Sequence, residues 1–280
     1  MILFKKSGEL HNFLAEKSKE GVKTGFVPTM GALHSGHLSL IEESKKDAFT
    51  ICSIFVNPTQ FNDPKDFEKY PITIEKDIYL LEKAGCDVLF LPSVNEMYPA
   101  PKKKIQYELG YLENILEGKY RPGHFQGVCE VVHRLLDIVS PDNLYLGQKD
   151  YQQCMVLKKL VELIGVKTNI IICPTTREPD GLAMSSRNMR LNEAERKQAV
   201  RIYQSLCLIK DGLKPGDLKG LKQKAMDHLS EGFKIDYIEI ADAATLAAID
   251  NWDGKAHLVA LCAAFLNEVR LIDNIILSKN

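Results

Sequence analysis

The sequence lacks the features of a membrane protein, a secreted protein or a nucleic-acid-binding protein. No run approaches the roughly 20 consecutive apolar residues of a membrane span. The segment Met1 to Glu20 carries charged residues where a signal peptide is uncharged. The net charge of -1 gives no basic field to attract nucleic acid or an anionic lipid surface. We therefore expect a cytoplasmic protein with neither a membrane nor a nucleic-acid partner.

Cysteine is present, but without a pairing pattern. The seven cysteines are odd in number, form no CxxC motif and lie mostly in apolar runs. This distribution is typical of buried thiols in a reducing compartment. No nearby Cys or carboxylate completes a zinc set with His34 and His37. The sequence thus predicts no disulfide framework and leaves any metal ligands unknown.

The composition is that of an ordinary globular protein, with 280 residues of which 45% are hydrophobic and 26% charged. Short apolar segments alternate with amphipathic ones over the larger part of the chain. The predicted strands are 22–27, 50–56, 87–91, 143–146 and 168–173. The predicted helices are 38–48, 74–84, 127–140 and 151–164. This alternation predicts an α/β fold, a Rossmann-like doubly wound parallel sheet.

The pattern changes near Ser185. Asn192 and Glu195 have the spacing of a capping box, which opens a helix that runs toward Asp211. A further helix is predicted at 218–229, and strands are predicted at 234–240, 257–265 and 269–272. We therefore predict a Rossmann-like domain at 1–180 and a smaller C-terminal α+β domain at 181–280.

The segment His34-Ser35-Gly36-His37 lies where the first predicted strand turns into a helix. A helix that opens around Gly36 would have unpaired backbone N–H groups at its start, with the positive end of the helix dipole behind them. Gly36 also has no side chain, so a flat base or a triphosphate can approach the backbone closely. These features favour a nucleotide site. Two histidines at this spacing also occur as surface residues or as metal ligands.

Further polar clusters lie where a doubly wound sheet binds ligands, beyond the carboxyl ends of the strands. Residues 57–61 follow the second predicted strand, and residues 147–150 follow the fourth. A third cluster, 177–188, combines serine, arginine and glycine at the predicted domain boundary. Serine hydroxyls and guanidinium groups suit triphosphate oxygens, although polar interdomain loops of this composition are also common.

Five motifs, in this order and at these intervals, carry a family resemblance: PTMGALHSGH, NPTQF, RPGHFQGV, GQKDYQQ and REPDGLAMSSRN. Together they resemble the pantoate–β-alanine ligase family, within the nucleotidylyl transferase superfamily that shares the HxGH signature. The match is dense over residues 22–190, and residues 236–240 extend it into the second domain. One departure is Thr176, where the family pattern has Val.

The resemblance implies two half-reactions. The carboxylate of (R)-pantoate attacks the α-phosphate of ATP, which gives pantoyl adenylate and pyrophosphate. The amine of β-alanine then attacks the activated carbonyl and releases AMP and pantothenate. The resemblance also implies Mg²⁺ bound with the ATP, and a homodimer. Because a mixed anhydride exposed to water would hydrolyse, we also predict that the second domain closes over the nucleotide as a lid. The protein would mainly position groups and neutralise charge at phosphorus.

The same resemblance assigns residues. ATP-binding residues are expected to be Met30, Gly31, Ala32, Leu33, His34, Ser35, Gly36, His37, Gly147, Gln148, Lys149, Asp150, Thr176, Met184, Ser185, Ser186 and Arg187. The catalytic candidates are His34, His37, Lys149, Ser185 and Arg187, with His37 also a candidate proton donor to the leaving phosphate. The residues expected to bind pantoate or β-alanine are Asn57, Gln60 and Gln153. Without the resemblance, an amide that satisfies loop backbone is the expected role of these three residues.

Three other side chains, and a run of lysines, are weighed between a functional role and an ordinary structural one. Asp77 is a candidate to help hold magnesium, although a carboxylate on a helix surface is commonly just solvated. Arg121 and His124 are candidates to close over the site, although their Gly- and Pro-marked loop is also typical of a plain turn. The run 102–104 of three lysines is expected to be a solvated loop.

Two other functions remain open at the level of sequence. A nucleotidyltransferase that leaves AMP or CMP on its product would share the HxGH chemistry but would have no reason to accept β-alanine. A non-catalytic ATP-binding sensor would keep the pocket, but His34, His37, Lys149 and Arg187 are all present. The NPTQF and GQKDYQQ motifs favour an α-hydroxy acid as substrate, and therefore the ligase.

Overall fold

The computed structural model describes residues 1–62, 64–99 and 105–277. The strands are β1 Ile2–Phe4, β2 Thr24–Thr29, β3 Phe49–Ile54, β4 Val88–Phe90, β5 Asn143–Gly147, β6 Asn169–Cys173, β7 Gly216–Asp217, β8 Phe233–Asp242, β9 Asn251–Trp252, β10 Leu258–Leu266 and β11 Val269–Ile276. The helices are α1 Ser7–Lys19, α2 Ser35–Ser44, α3 Pro64–Glu68, α4 Ile74–Lys83, α5 Val94–Met97, α6 Leu116–Tyr120, α7 His124–Val139, α8 Tyr151–Ile164, α9 Glu193–Ala199, α10 Arg201–Gly212 and α11 Lys219–Ser230. Short 3-10 turns occur at Pro58–Gln60, Gly110–Glu113, Gln148–Asp150 and Ser186–Arg190.

The chain divides into two compact units. One consists of Met1–Gly147 and Val156–Pro174, and the other of Gln148–Met155 and Thr175–Asn280. Within the described ranges, no helix has both the length and the apolar character needed to cross a membrane. The three lysines at 102–104 lie outside the described residues.

The first unit is built on a six-stranded parallel sheet with the strand order β1-β4-β3-β2-β5-β6. From β2 the chain adds β3 and β4 on one side, and later adds β5 and β6 on the other side. The strand order therefore reverses between β2 and β5, which is the topological switch point where such sheets bind ligands. The predicted Rossmann-like fold is confirmed.

Both faces of this sheet are covered, and the strands β2, β3, β4 and β5 are therefore buried almost continuously along their length. On one face, Val27, Cys52 and Leu89 join a core formed with side chains of α2 and α4. Their neighbours along the strands point to the opposite face, and Phe26 and Phe90 there are also fully buried. The sheet therefore holds the loop that follows β2 on a rigid support.

The second unit contains a three-stranded antiparallel sheet, in the order β11-β10-β8, against which α10 and α11 pack. Its apolar core includes Leu206, Ile240 and Cys262. Trp252 packs against this core, and its indole N–H donates to the carbonyl of Ala256. This is the smaller α+β unit that the sequence predicts.

The division between the units lies earlier than the predicted boundary at residues 180 and 181. The N–H of Met184 donates to the carbonyl of Thr176, and the N–H of Glu178 donates to the carbonyl of Leu182. A boundary at 180 would cut this hairpin, so the segment 177–188 belongs to the second unit. Gly181 lies at its tip with a φ of 97°.

The predicted helix from Glu193 toward Asp211 is interrupted at Val200, between α9 and α10. Its predicted capping box is confirmed, because Asn192 and Glu195 each accept the backbone N–H of the other. The other predicted helices and strands agree with the structure to within a few residues at their ends. The elements that were not predicted are β1, β7, β9, α1, α3, α5 and α6.

All seven cysteines are free thiols, and six of them are buried, while Cys207 is partly exposed. Burial raises the pKa of Cys86 and Cys173 to about 11 and that of Cys129 to about 12. Thiols of this kind are poor nucleophiles at neutral pH. Their role in packing, predicted from the sequence, agrees with this burial.

Candidate active site

The HxGH segment lies at the switch point of the sheet, in the loop that joins β2 to α2. β2 pairs with β5 only at Gly25 and Phe26, so β2 and β5 are no longer hydrogen-bonded where the loop leaves the sheet. Gly31 and Ala32 both adopt left-handed backbone conformations, with φ angles of 81° and 50°. Such a conformation is strained for alanine, and strain of this kind is common at functional sites.

The backbone N–H groups at the start of this loop are bonded to the protein itself. The N–H of Gly31 donates to the hydroxyl of Thr29 at 3.2 Å. The N–H groups of Ala32 and Leu33 donate to the two carboxylate oxygens of Asp77, at 2.9 and 2.8 Å. These amides are therefore already paired before any ligand is considered.

His34 and His37 cap the start of α2 reciprocally. Nδ1 of His34 accepts the N–H of Gly36 at 3.2 Å, and Nδ1 of His37 accepts the N–H of His34 at 3.3 Å. The two ring centroids lie 4.0 Å apart. Because a nitrogen that accepts a hydrogen bond carries no proton, each neutral ring has its proton on Nε2. The expectation of an unpaired N–H at Gly36 is wrong, since the ring of His34 takes it.

Asp77 fits neither of its two expected roles. It is fully buried rather than solvated, and its oxygens accept three hydrogen bonds, from Ala32, Leu33 and the hydroxyl of Thr73. A cation at these oxygens would face N–H and O–H groups. Among the described residues, no three His, Cys, Asp or Glu side chains are grouped to hold a metal ion.

Asn57 is held entirely by its surroundings and is only 1% exposed. Its Oδ1 accepts from the hydroxyl of Tyr98 at 2.9 Å and from both the N–H and the hydroxyl of Thr59. Its Nδ2 donates to the carbonyl of Gly127 and to Oε1 of Gln60. Burial raises the pKa of Tyr98 to about 12, so this hydroxyl remains a donor at neutral pH. These contacts favour the alternative expected for Asn57, an amide that satisfies a loop.

Gln60 is half-buried, and its Nε2 lies 3.2 Å from the sulfur of Met30, a weak acceptor. The backbone carbonyl of Gln60 accepts from Nδ1 of His124 at 2.8 Å and from Arg121 at 3.5 Å. Arg121 also donates to Nε2 of His124 at 3.1 Å. Since a guanidinium only donates, His124 is a neutral ring with its proton on Nδ1. Arg121 and His124 thus support the loop that carries Gln60.

In the second unit, the turn Gln148–Asp150 carries Lys149, whose side chain is 17% exposed and whose Nζ lies 3.3 Å from both carboxylate oxygens of Asp150. Asn274 fixes this turn. Its Nδ2 donates to the carbonyls of Gln148 and Lys149, both at 2.9 Å, and its Oδ1 accepts from Nε2 of Gln148 at 3.1 Å. Gln153 is half-buried in the first turn of α8.

Arg177 is paired within the second unit. Its guanidinium forms a two-point ion pair with Asp273, with N···O distances of 2.6 and 3.0 Å, and donates to the carbonyls of Gly181 and Asn274. It also stacks on the ring of Tyr203, 4.0 Å from the centroid. Arg177 therefore fixes the hairpin and is not the guanidinium that would bind a triphosphate.

The serine-rich segment follows this hairpin. Ser185 caps the turn Ser186–Arg190, and its hydroxyl accepts the N–H of Arg187 at 3.3 Å. Ser186 is buried, whereas Met184 and Arg187 are half-buried. The structure thus places Ser185, Ser186 and Arg187 on one short turn.

Comparison with known proteins identifies the family. Residues 2–276 match the family described as pantoate-beta-alanine ligase. The chain belongs to this family. A pantothenate synthetase from Cytophaga hutchinsonii is 45% identical over 277 residues, which is 96% of each chain. The predicted family and the predicted ligase class are confirmed.

Solved structures of family members agree with this fold. Pantothenate synthetase from Thermus thermophilus superposes with a TM-score of 0.90 and 38% identity, over 100% of both chains. Pantoate-beta-alanine ligase from Francisella tularensis, complexed with beta-gamma ATP and beta-alanine, superposes with a TM-score of 0.83 and 40% identity, over 100% of this chain and 99% of the other.

Several contacts that position the family's motifs could not be found from sequence patterns. Asp77 is 45 residues from Ala32 in the chain, and Asn274 is 126 residues from Gln148. Tyr98 is likewise 41 residues from Asn57. A local motif gives no signal for such partners, because only the fold brings them together.

Proposed function

We propose that this family member condenses (R)-pantoate with β-alanine at the expense of ATP, giving pantothenate, AMP and pyrophosphate. Family membership over residues 2–276 carries the proposal, and the Francisella tularensis structure, complexed with beta-gamma ATP and beta-alanine, supports it. In the first step, a carboxylate oxygen of pantoate displaces pyrophosphate from the α-phosphorus. In the second, the nitrogen of β-alanine displaces AMP from the acyl carbon of pantoyl adenylate.

His34 and His37 act on the phosphates as neutral hydrogen-bond donors through Nε2. Their Nδ1 atoms accept backbone N–H groups, so a ring could gain a second proton only by breaking the helix cap. Stabilisation of developing charge by fixed donors contributes strongly to phosphoryl transfer. We therefore favour hydrogen bonding over proton transfer as the role of His37.

Lys149, Ser185 and Arg187 supply the remaining charge neutralisation and hydrogen bonds to the phosphates. The other expected ATP contacts are Met30, Gly31, Ala32, Leu33, Ser35, Gly36, Gly147, Gln148, Asp150, Thr176, Met184 and Ser186. Because the N–H groups of Ala32 and Leu33 are bonded to Asp77, these two residues would contact the nucleotide through other atoms.

Gln60 and Gln153 bind pantoate, and Gln60 also lies near β-alanine. Their neutral amides bond hydroxyl and carboxylate groups without introducing a competing nucleophile. Asn57 acts through Gln60, because its Nδ2 donates to Oε1 of Gln60. Magnesium accompanies ATP as part of the substrate. We also propose that the protein is a cytoplasmic homodimer and that its second domain closes over the nucleotide as a lid.

The protein incubated with ATP, Mg²⁺ and D-pantoate tests this function. Without β-alanine, we expect pyrophosphate in an amount close to one equivalent of enzyme, because the adenylate stays bound. With β-alanine, AMP and a product with the mass of pantothenate accumulate together. The variant Lys149→Gln should lose product, whereas Lys159→Gln, which alters a surface lysine of α8, should keep it.

Other outcomes would point to other functions. ATP binding without pyrophosphate release would indicate a sensor. Release of a stable adenylylated product, with β-alanine ignored, would indicate a nucleotidyltransferase. Either result contradicts the proposed ligase.

A further inference from the structure

A fully buried carboxylate, Asp77, lies against the loop that carries the HxGH histidines. It belongs to the first turn of α4. Its Oδ2 accepts the N–H of Ala32 at 2.9 Å, and its Oδ1 accepts the N–H of Leu33 at 2.8 Å and the hydroxyl of Thr73 at 3.0 Å. A buried carboxylate needs such partners, because an unpaired charge in the interior is costly.

Two successive N–H groups of the loop, those of Ala32 and Leu33, converge on the carboxylate of Asp77. The backbone bends at this point, where Gly31 and Ala32 both have positive φ angles. A Cβ at Gly31 would lie 3.1 Å from Oδ2 of Asp77, so glycine permits both the backbone conformation and the close approach.

The anchored segment leads directly into the helix cap. Leu33 is bonded to Asp77, and the next two hydrogen bonds along the chain are those of the reciprocal cap between His34 and His37. The positions of both rings therefore depend on where the backbone of Ala32 and Leu33 is held. A shift of about 1 Å at a reacting group is enough to reduce turnover roughly a hundredfold.

We propose that Asp77 is a positioning residue for the ATP-dependent step, and that it acts by holding the loop rather than by binding magnesium. This inference rests on the proposed function of His34 and His37. A role in binding magnesium does not fit, because the three donors around the carboxylate already satisfy its oxygens and would repel a cation placed there.

The variant Asp77→Asn tests the proposal, since it keeps the shape of the side chain. Its amide offers one oxygen acceptor and one NH₂ donor, so the N–H of either Ala32 or Leu33 loses its acceptor. With all substrates saturating, we expect turnover to fall by roughly ten- to a hundredfold. The Mg²⁺ concentration for half-maximal activity should stay unchanged. Amide hydrogen exchange at Ala32 and Leu33 should become faster.

Glu96→Gln is the matched control. Glu96 is also a carboxylate that accepts a backbone N–H and a hydroxyl, both from Ser7, but it has no contact with the HxGH loop among its described bonds. Both variants should lower the urea midpoint of unfolding, and only Asp77→Asn should lower turnover. If Asp77→Asn fails to fold, Thr73→Val replaces it, because it removes one donor to the same carboxylate and should give a smaller loss of turnover.

Three results would overturn the inference. The first is recovery of the turnover of Asp77→Asn by excess Mg²⁺, and the second is an equal loss of turnover in Asp77→Asn and Glu96→Gln. The third is a folded Thr73→Val whose turnover and amide exchange are both unchanged. The unaltered protein is assayed beside them. If it makes no pantothenate, the proposed function fails, while the exchange rates of Ala32 and Leu33 still report whether Asp77 anchors the loop.

Discussion

At the start of α2, two histidines perform the capping that Ser, Asn or Asp perform at most helix N-termini. Each ring uses Nδ1 for the backbone, and its Nε2 is the atom proposed to donate to a ligand. A single side chain thus serves both the fold and the proposed chemistry. A substitution that replaces Nδ1 as an acceptor but has no equivalent of Nε2 can therefore separate helix capping from the proposed chemistry.

We predict that His34→Asn and His34→Ala differ in stability but not in activity. Asparagine is a good N-cap residue and alanine a poor one, so the alanine variant should be less stable by about 1 kcal/mol. Both variants lack Nε2, so both should lose turnover, on the order of a hundredfold. Urea unfolding and steady-state assays measure the two effects. An active His34→Asn would show that Nε2 is not needed.

At the scale of elements, α5 supplies the cap that α1 does not provide for itself. Lys6, the N-cap residue of α1, makes no capping hydrogen bond with its side chain. Glu96 of α5 instead accepts hydrogen bonds from the hydroxyl of Ser7 at 2.7 Å and from its N–H at 2.8 Å. Glu96 also forms an ion pair with Lys6. These bonds, with that of the Ser7 hydroxyl first, lower the pKa of Glu96 to about 2.

This shift predicts a pH-dependent contribution to stability. Because the pKa of Glu96 is lower in the folded state than its ordinary value of 4.5, the contribution is present above that value and is lost as the pH falls toward 2. Glu96→Gln should therefore be less stable than the unaltered protein at pH 7, and the difference should narrow between pH 5 and about 3. Urea midpoints across this range test it. Glu20→Gln, in an exposed pair with Lys17, should show no such difference.

At the scale of the whole molecule, closure of the second domain over bound nucleotide is a proposal with a direct test. The segment 176–190 contains three arginines after which trypsin can cleave. Arg177 is paired with Asp273, and Arg187 and Arg190 lie on the turn that follows. We predict that ATP plus pantoate slows cleavage there several-fold, while cleavage after the exposed Lys19 keeps its rate. Timed digestion followed by mass spectrometry measures both. Equal rates at 176–190 with and without ligands would contradict closure.

Much of the fold can be predicted from local sequence patterns, because each apolar strand and each amphipathic helix has its pattern in residues that are neighbours in the chain. The position of His34 and His37 after a strand follows in the same way. The contacts that could not be predicted join residues that are distant in the chain. Examples are the hydrogen bonds of Asp77 with Ala32 and of Asn274 with Lys149. The hairpin after Thr176 is a similar case, because its polar sequence does not show that it belongs with the second unit.

Burial of the thiols has a consequence for the damage this protein can suffer. Oxidation of cysteine begins at a thiolate that an oxidant can reach, and six of the seven cysteines are buried. Only Cys207, on α10, is partly open to solvent. Thiol oxidants therefore attack the intact molecule at a single cysteine, far along the chain from the HxGH loop, and must unfold it to reach the others.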